Sequence, residues 1–529
     1  MLGKIFDKML HEDESQIKAG GVSKNVKRLP LFEKRDWIFA GIVFLIAISA
    51  RLFVLFKFSD PLSPGWYDDT FHHWQVAYLS KEVGFSHGFL RLWDFKGMEY
   101  FWGLLHPLVL VILFWITGSV SIMVPRLLTV VAGSIVISFI FLLVKRYFNL
   151  FSAWASALFA VFMPVVLFSD TVGMQEPLAI VLILGALLLW PRKVGVVGIL
   201  FALAGMVRAE YWLFGVGLFT MALFAKQQVK GKAILVIGWL VPTLLYIKYL
   251  LDNTGNAIYP IYWNFLASVK GEWFLNVPLP PGAIEAQTIA RVFFALSLLS
   301  SIYLIIKRPK YYLFFLFGFG NILFLGFMLG FGAYIRGYVP RFWIDRLFAW
   351  PYAFTGILVS ILLLYYIPSK VKHRVIPQTF GGLAILVIIL LSQFIWIPIS
   401  KWAGEADARY EGEKKLADEV GGYYQNGKIL IPEDRPVFVY YLVNNHDING
   451  KYLLGQMYDP FFYIEEDPFQ NWNEYRQDVL DWIKKDDIKL IVFASDRERY
   501  MKLVELEPQL FNLKQITDYR FYIYEVTEQ

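Results

Sequence analysis

The 529-residue chain has no cysteine, and charged residues make up only 18% of it. Without cysteine the chain can form no disulfide framework and can carry out no thiolate chemistry. Histidine is scarce as well, at seven residues, and no compact zinc-binding spacing occurs among them. A basic face with interleaved aromatic residues is also missing, which argues against nucleic-acid binding.

Apolar residues are abundant instead. Hydrophobic residues make up 57% of the sequence, and its mean hydropathy is +0.49. These values predict a polytopic α-helical membrane protein. Aromatic residues reach 18%, more than helix packing needs, which fits interfacial belts or surfaces on which sugars stack.

Eleven apolar segments are predicted to span the membrane. Basic loops such as Lys145-Arg146 and Arg192-Lys193 fall on one side of the membrane if these segments alternate in direction, as the positive-inside rule requires. Residues 101–117 are also apolar, but as a further span they would move these loops to the other side. We therefore predict an interfacial or re-entrant helix there, within the first external loop. The eleven segments are 37–57, 124–144, 151–168, 177–191, 194–207, 211–225, 233–251, 288–306, 311–332, 346–366 and 377–397.

The two ends of the chain differ in charge. Residues 1–36 are polar and carry a Lys/Arg cluster ahead of the first span, which predicts a retained signal anchor with a cytoplasmic N-terminus. Residues 400–529 contain 16 Lys and Arg against 25 Asp and Glu, whereas residues 1–399 contain 34 against 19. The predicted organisation is a cytoplasmic segment 1–36, a membrane domain 37–399 with a long first external loop 58–123, and an extracytoplasmic domain 400–529.

The acidic tail has the pattern of a small α/β domain. Helix-like and strand-like stretches alternate along it, and two of the strand-like runs are mostly apolar, as in buried strands. Predicted helices cover 413–427 and 473–486, and predicted strands cover 428–431, 488–494 and 521–526. A Pro- and Gly-containing stretch, 276–282, predicts an ordered external loop.

Two adjacent carboxylates, Asp68 and Asp69, stand in the first external loop just after the first span. Clustered ionisable groups at the mouth of a membrane protein are costly to desolvate and therefore suggest a functional site. One carboxylate could accept a proton from an attacking hydroxyl or amide, or could hold a divalent ion. The alternative is that both merely cap the helix predicted to start at Thr70.

Histidines and aromatic residues surround the acidic pair. His72, His73 and His106 belong to the same loop and are candidate metal ligands or phosphate partners, the alternative being hydrogen-bonded structural histidines. The aromatic side chains nearest the pair are candidates to line the sugar and acceptor sites. These are Trp66, Tyr67 and Trp74.

A second acidic loop carries Asp170 and Glu176, and the predicted topology puts it on the same side of the membrane as Asp68. The two carboxylates could complete a metal site or contact a donor; alternatively, Glu176 only complements the dipole of the helix it opens. Arginines at external helix ends could bind a phosphate through their planar guanidinium, or could pair with nearby carboxylates. They are Arg208, Arg336, Arg341 and Arg346.

The order of these features resembles the GT-C superfamily of integral membrane glycosyltransferases. The resemblance covers residues 37–225: one span, a long loop with an acidic pair, Pro125–Gly133 opening the next span, Lys145–Phe148 closing it, and an acidic loop with Gln175–Leu178. Members include protein O-mannosyltransferases, the aminoarabinose transferase acting on lipid A and the catalytic subunit of oligosaccharyltransferase. The tail signature of the last group, Trp-Trp-Asp-Tyr-Gly, is absent; the nearest text is Asn471–Tyr475.

The resemblance implies inverting transfer of a sugar from a polyprenyl-phosphate donor to an extracytoplasmic protein, lipid or glycan. It implies a catalytic role for Asp68, a second acidic site at Glu176 and a donor-phosphate site at an arginine such as Arg346. A divalent cation, Mg or Mn, is left open. The chain would reside in a plasma membrane, a prokaryotic one being the expectation.

Two alternatives accompany this interpretation. One is oligosaccharyltransferase-like transfer of a glycan from a lipid diphosphate to protein. The other is a transporter or flippase of lipid-linked sugars, against which the loop position of the acids and the absence of an internal repeat both speak.

Overall fold

Helices dominate the chain, as its composition predicts. The computed structural model describes residues 32–57, 60–67, 69–84, 103–190, 193–224, 229–262, 349–371, 373, 375–432, 435–455, 468–495, 498 and 500–527, with isolated positions between 292 and 299. The predicted spans 288–306 and 311–332 lie outside these ranges, apart from those isolated positions, and so do residues 1–31 and the predicted loop 276–282.

The helices and strands of the described residues are numbered here in chain order. The α-helices are α1 Lys34–Lys57, α2 Asp69–Val83, α3 Leu105–Thr117, α4 Met123–Tyr147, α5 Leu150–Phe162, α6 Pro164–Ser169, α7 Glu176–Leu189, α8 Val194–Val207, α9 Trp212–Phe224, α10 Val229–Thr254, α11 Ala349–Ile361, α12 Val375–Ser392, α13 Trp396–Tyr423, α14 Pro436–His446, α15 Trp472–Lys485 and α16 Met501–Leu506. The strands are β1 Lys428–Ile431, β2 Leu453–Gly455, β3 Ile488–Phe493, β4 Phe511–Ile516 and β5 Tyr522–Val526.

Several of these helices are long and apolar enough to cross a membrane. Within the described residues they are α1, α4, α10, the stretch Tyr352–Lys370 that contains most of α11, and the run Val375–Tyr423; α3, α5, α7 and α8 are apolar but shorter. The chain is therefore an integral membrane protein. The predicted count of eleven spans and their orientation stay predictions.

The predicted span 151–168 is divided in two. Helix α5 ends at Phe162, and Pro164 opens the short helix α6 at its first position. Proline has no N–H to donate and its ring disfavours a helical conformation of the preceding residue, so it ends one helix and begins the next. The short helix α6 leads directly to Asp170.

Two compact units make up the chain. The first, here called the membrane unit, consists of Met1–Asp60 and Arg126–Ser400; the second, the loop–tail unit, consists of Pro61–Pro125 and Lys401–Gln529. The loop–tail unit thus combines residues 61–125, including α3, with the acidic tail, although more than 270 residues separate the two segments in sequence.

In the membrane unit, glycines let α8 and α10 pack with their backbones almost touching. A Cβ atom on Gly198 would lie 2.7 Å from the backbone nitrogen of Trp239, and one on Gly238 would meet the backbone of Gly195. Small residues at such crossings allow the close approach that drives helix association in a membrane.

We expect Gly198→Ala to destabilise the membrane unit by about 1–3 kcal/mol, because the added methyl must push the two helices apart. Unfolding in mixed micelles followed by tryptophan fluorescence would measure this. Gly41→Ala is the matched control, since a Cβ there meets nothing within 4 Å. Equal effects of the two substitutions would contradict the close-packing explanation.

The tail contains a five-stranded sheet in the order β2-β1-β3-β5-β4. Strand β1 lies between its parallel neighbours β2 and β3, and β5 runs antiparallel to both β3 and β4. The parallel pairs require crossover connections, which α14 and α15 provide. The predicted α/β tail is confirmed, including strands at 428–431, 488–493 and 522–526; α14, β2 and β4 were not predicted.

Helix α15 packs its apolar side on the sheet, and side chains near its start donate hydrogen bonds to a buried carboxylate. Val479 and Ile483 belong to the core that also contains Ile491 and Phe493 of β3. Glu507 accepts hydrogen bonds from the side chains of Trp472, Arg476 and Gln509, with Trp472 Nε1 at 3.2 Å and Arg476 Nη2 at 2.9 Å. The guanidinium of Arg476 thereby holds the pKa of Glu507 below its usual value, although burial opposes this.

The lowered pKa gives the tail a pH-dependent contribution to stability. A carboxyl group whose pKa is lower in the folded state stabilises that state above its unfolded pKa, and the stabilisation is lost as pH falls through the folded one. We therefore expect Glu507→Gln to lower the melting temperature of the full chain at pH 7, with the gap from wild type closing below about pH 4. Glu505→Gln, on the exposed side of α16, is the control and should melt at the same temperature as wild type. A difference in melting temperature between Glu507→Gln and wild type that persists down to about pH 3 would contradict the prediction.

Candidate functional site

The chain enters the acidic motif through a tight turn. Residues Pro64–Trp66 form one turn of 3₁₀ helix, and the Ser63 hydroxyl caps it by accepting a hydrogen bond from the Gly65 backbone N–H at 3.1 Å. Tyr67 follows with a buried ring. Asp68 and the side chain of Trp66 lie outside the described part of the chain, so their predicted roles stay predictions.

Asp69 begins helix α2, one residue before the predicted start. Its side chain is 24% exposed, and its Oδ1 atom lies 3.9 Å from Nδ1 of His72, one turn along the helix. A carboxylate in the first turn of a helix is stabilised by the unsatisfied N–H groups there. Asp69 is thus a partly solvent-accessible carboxylate at the start of an otherwise buried helix.

Helix α2 is buried on every side, since each residue from Thr70 to Ser80 is buried. The Trp74 ring stacks on Tyr78 at 4.9 Å and meets the edge of Tyr440 of α14, while its Nε1 donates to the Val120 carbonyl at 2.5 Å. The rings of Phe71 and Tyr440 also meet edge to face. Trp74 is therefore packed between Tyr78 and Tyr440 and hydrogen-bonded to the Val120 carbonyl.

The C-terminal end of α2 is fixed by the tail. The Gly450 N–H donates to the Tyr78 hydroxyl at 3.0 Å, and Asn449 Nδ2 donates to Glu82 Oε2 at 3.0 Å. Burial raises the pKa of Tyr78 to about 12, so its hydroxyl keeps its proton at neutral pH. Burial alone would raise the pKa of Glu82, but Lys81 and Asn449 bind its carboxylate and lower it below the usual value.

The three candidate histidines divide between two positions. His73 and His106 pack their rings edge to face at 4.9 Å, which joins α2 to α3, and both are fully buried. His72 lies beside Asp69. Among the described residues no group of three His, Asp or Glu side chains is placed to hold a metal ion.

Asp170 in the membrane unit is engaged in a buried ion pair with Arg51 of α1. Arg51 donates to Asp170 Oδ2 through Nε at 2.8 Å and through Nη2 at 2.5 Å, and both side chains are fully buried. Gly133 of α4 makes room for the Asp170 carboxyl group, because a Cβ atom at residue 133 would overlap it. A buried charge is tolerated only when it is paired in this way.

Glu176 shares Arg208 with a second carboxylate. Arg208 Nη1 lies 3.2 Å from Glu176 Oε1, while its Nε and Nη2 donate to Glu210 Oε1 at 2.9 and 2.8 Å. All three guanidinium nitrogens are therefore bound to carboxylates. Of the two roles expected for Arg208, phosphate binding and pairing with nearby carboxylates, the structure has the second. Arg336, Arg341 and Arg346 lie outside the described residues.

Arginines pair with the acidic side chains of the second loop. Arg51 binds Oδ2 of Asp170, and Arg208 binds both Glu176 and Glu210. These arginines supply positive charge to the buried carboxylates.

Three residues that fix these sites were missed in the sequence. Arg51 lies inside the first apolar segment, where an isolated charge is itself a signal of a buried partner. Gly133 stands in the segment that carries the GT-C resemblance. Tyr440, which packs on Phe71 and Trp74, gave no signal, because nothing local links a tail helix to a loop more than 300 residues earlier.

Comparison with known proteins places the fold. No protein-family model and no curated protein matches the sequence. The structure is similar to that of ArnT from Cupriavidus metallidurans bound to undecaprenyl phosphate, at a TM-score of 0.50 and 12% identity over 93% of this chain and 98% of that one. It is also similar to two Archaeoglobus fulgidus structures, each at a TM-score of 0.47. One is the apo oligosaccharyltransferase, at 13% identity over 89% of this chain and 71% of that one. The other is AglB with an inhibitory peptide and a dolichol-phosphate, at 12% identity over 94% and 75%.

The chain therefore has the same fold as that ArnT structure. This agrees with the resemblance of its sequence features to the GT-C superfamily. Nearly the whole of ArnT is matched, so the similarity includes the tail as well as the membrane helices. At this level of identity the similarity defines the architecture and leaves the substrates open.

The Arg51–Asp170 pair makes a prediction for stability. We expect Arg51→Met to cost roughly 3–5 kcal/mol in free energy of unfolding, because it leaves the Asp170 carboxylate buried without its cation. Adding Asp170→Asn should recover most of this loss, as measured by unfolding in mixed micelles. Lys57→Met, at the exposed end of α1, is the control; a double variant no more stable than Arg51→Met would show that the pairing is not what matters.

Proposed function

We propose that this protein is a glycosyltransferase that moves a sugar from a polyprenyl-phosphate donor to an acceptor outside the cytoplasm. The observation that carries the proposal is Asp69, which follows Asp68 in the sequence and lies partly exposed at the head of a helix that protein buries on every side. A rigid helix with a partly exposed carboxylate at its first residue can hold that group in a fixed place against two substrates. The GT-C fold, shared with an ArnT that was crystallised with undecaprenyl phosphate, supports a lipid-phosphate donor.

In the proposed reaction an acceptor hydroxyl or amide attacks the anomeric carbon of the sugar. A new bond forms from the acceptor atom to that carbon, and the bond from the same carbon to the phosphate oxygen breaks. The acceptor proton passes to the carboxylate of Asp68 or Asp69, and the lipid leaves as a polyprenyl phosphate. Attack from the face opposite the leaving group inverts the anomeric configuration.

The departing phosphate needs a cation. Arg346 and Arg341 are the arginines that we assign to it, following the GT-C resemblance. Arg208 is less suited, because Glu176 and Glu210 already bind all three of its guanidinium nitrogens. We assign Glu176 to the second acidic site, where Arg208 pairs with it. A divalent cation, Mg or Mn, stays a prediction.

The aromatic and histidine residues receive different roles. Trp66 remains the aromatic side chain assigned to the sugar or the acceptor. We assign Trp74, Tyr67, His73 and His106 to packing of the loop, because each is buried by protein. The localisation that we propose is a prokaryotic plasma membrane, with the N-terminus in the cytoplasm and the tail outside it.

The test is transfer by the purified full-length protein in liposomes, with a panel of polyprenyl-linked sugars and a crude acceptor extract. We expect release of polyprenyl monophosphate, detected by mass spectrometry, and a loss of about 100- to 10,000-fold in rate when the catalytic base is removed. Asp68→Asn and Asp69→Asn are both measured, since one of them is expected to carry the base. Asp252→Asn, an exposed residue paired with Lys248, is the control.

Three outcomes would contradict parts of the proposal. Release of a polyprenyl diphosphate would show the oligosaccharyltransferase-like reaction. Movement of unchanged lipid across the bilayer, with both loop variants behaving as wild type, would show a transporter. Full activity in both Asp68→Asn and Asp69→Asn, with monophosphate release, would keep the reaction but remove the acidic pair from it.

A further inference from the structure

The turn that leads into the acidic pair is attached to the tail by one short hydrogen bond. Ser63 Oγ donates to Oδ1 of Asp407 on α13 at 2.5 Å, and the same oxygen accepts from the Gly65 N–H at 3.1 Å. Ser63 is buried, at 3% exposure. Because the same Ser63 oxygen makes both hydrogen bonds, the cap of the turn and its attachment to α13 depend on the same side chain.

Close packing reinforces this attachment. A Cβ atom on Gly65 would lie 2.8 Å from Cβ of Asp407 and would overlap the carbonyl oxygen of Ala403. Ala403 and Asp407 are four residues apart and so lie on one face of α13. The turn therefore rests directly on that face, and only glycine fits where the two backbones meet.

The turn continues into α2 through its own backbone. The Tyr67 N–H donates to the Pro64 carbonyl at 3.0 Å, and the Thr70 N–H donates to the Tyr67 carbonyl at 3.2 Å. Beyond Asp69, α2 is held by Tyr440 and Gly450, as described above. The acidic pair thus lies between two attachments to the tail, and Asp407 provides the one on the N-terminal side.

We propose that Asp407 is a positioning residue for the transfer reaction: through Ser63 it fixes the turn that presents Asp68 and Asp69. This inference rests on the proposed function. Misplacement of a catalytic group by about 1 Å can cost on the order of 100-fold in rate. Asp407 acts through the turn and needs only a hydrogen-bond acceptor at Oδ1, so its charge is dispensable while its oxygen is not.

The chemistry of this contact separates positioning from a general structural role. We expect Asp407→Ala to lower kcat by about 10- to 100-fold with little change in the donor KM. Asp407→Asn keeps an oxygen at the same position and should stay within about threefold of wild type. Ser63→Ala removes this hydrogen bond and also the cap on the Gly65 N–H, so it should lower kcat at least as far as Asp407→Ala. The double variant should be no worse than Ser63→Ala alone, because Asp407 acts through Ser63.

The matched control is Glu405→Ala, an exposed carboxylate on the same helix that pairs with Lys401 at 3.8 Å. Glu405→Ala should leave kcat unchanged. An equal loss in Glu405→Ala and Asp407→Ala, or an Asp407→Asn variant as impaired as Asp407→Ala, would overturn the proposal.

Hydrogen exchange tests the attachment without any transfer assay. In full-length Asp407→Ala the backbone amides of Gly65, Tyr67 and Thr70 should exchange faster than in wild type, while those of residues 74–83 should not change. Unchanged exchange at residues 65–70 would overturn the proposal whatever the activity. Faster exchange in a protein whose wild type transfers no sugar would instead retain the attachment and reject the proposed function.

Discussion

Pairing of buried charge is the constraint on which the membrane unit depends. Arg51 and Asp170 are both fully buried and lie on segments 119 residues apart, so neither could stay ionised in an apolar surrounding without the other. Neighbouring residues support this pair: Pro164 starts the helix that leads to Asp170, and Gly133 leaves space for the Asp170 carboxyl group. Glu176 obeys the same constraint through Arg208, so the acidic side chains of the second loop are both paired with arginines.

The sequence predicted features that depend on local pattern. Long apolar runs predicted the helices, short and mostly apolar runs predicted three strands of the tail, and Asp68-Asp69 marked the loop that leads into α2. The features it did not predict depend on contacts between distant segments. The sequence gives no local sign that Tyr440 packs on Trp74, or that Arg51 pairs with Asp170. The spacing of apolar residues and the helix propensity of a segment do not say which distant residues it contacts.

Grouping of the first loop with the tail changes how the acidic motif is understood. In sequence order the loop belongs to the membrane domain and the tail follows as an appendage. In the structure α2 is a buried helix of the loop–tail unit that contacts Tyr440 and Gly450, and the turn before it contacts Asp407 of α13. The tail is thus part of the support on which the acidic motif is built, and its removal would expose the apolar rings of Phe71, Trp74 and Tyr78 to water.

The contact of Gly65 with Ala403 and Asp407 also restricts how the chain can change in length during evolution. Each residue added to an α-helix turns everything beyond it by about 100° and moves it by about 1.5 Å. One insertion between Ala403 and Asp407 would carry the carboxylate around to another side of α13 while Ala403 stayed in place. Insertions and deletions within this single helical turn would therefore separate the two contacts that Gly65 makes with α13.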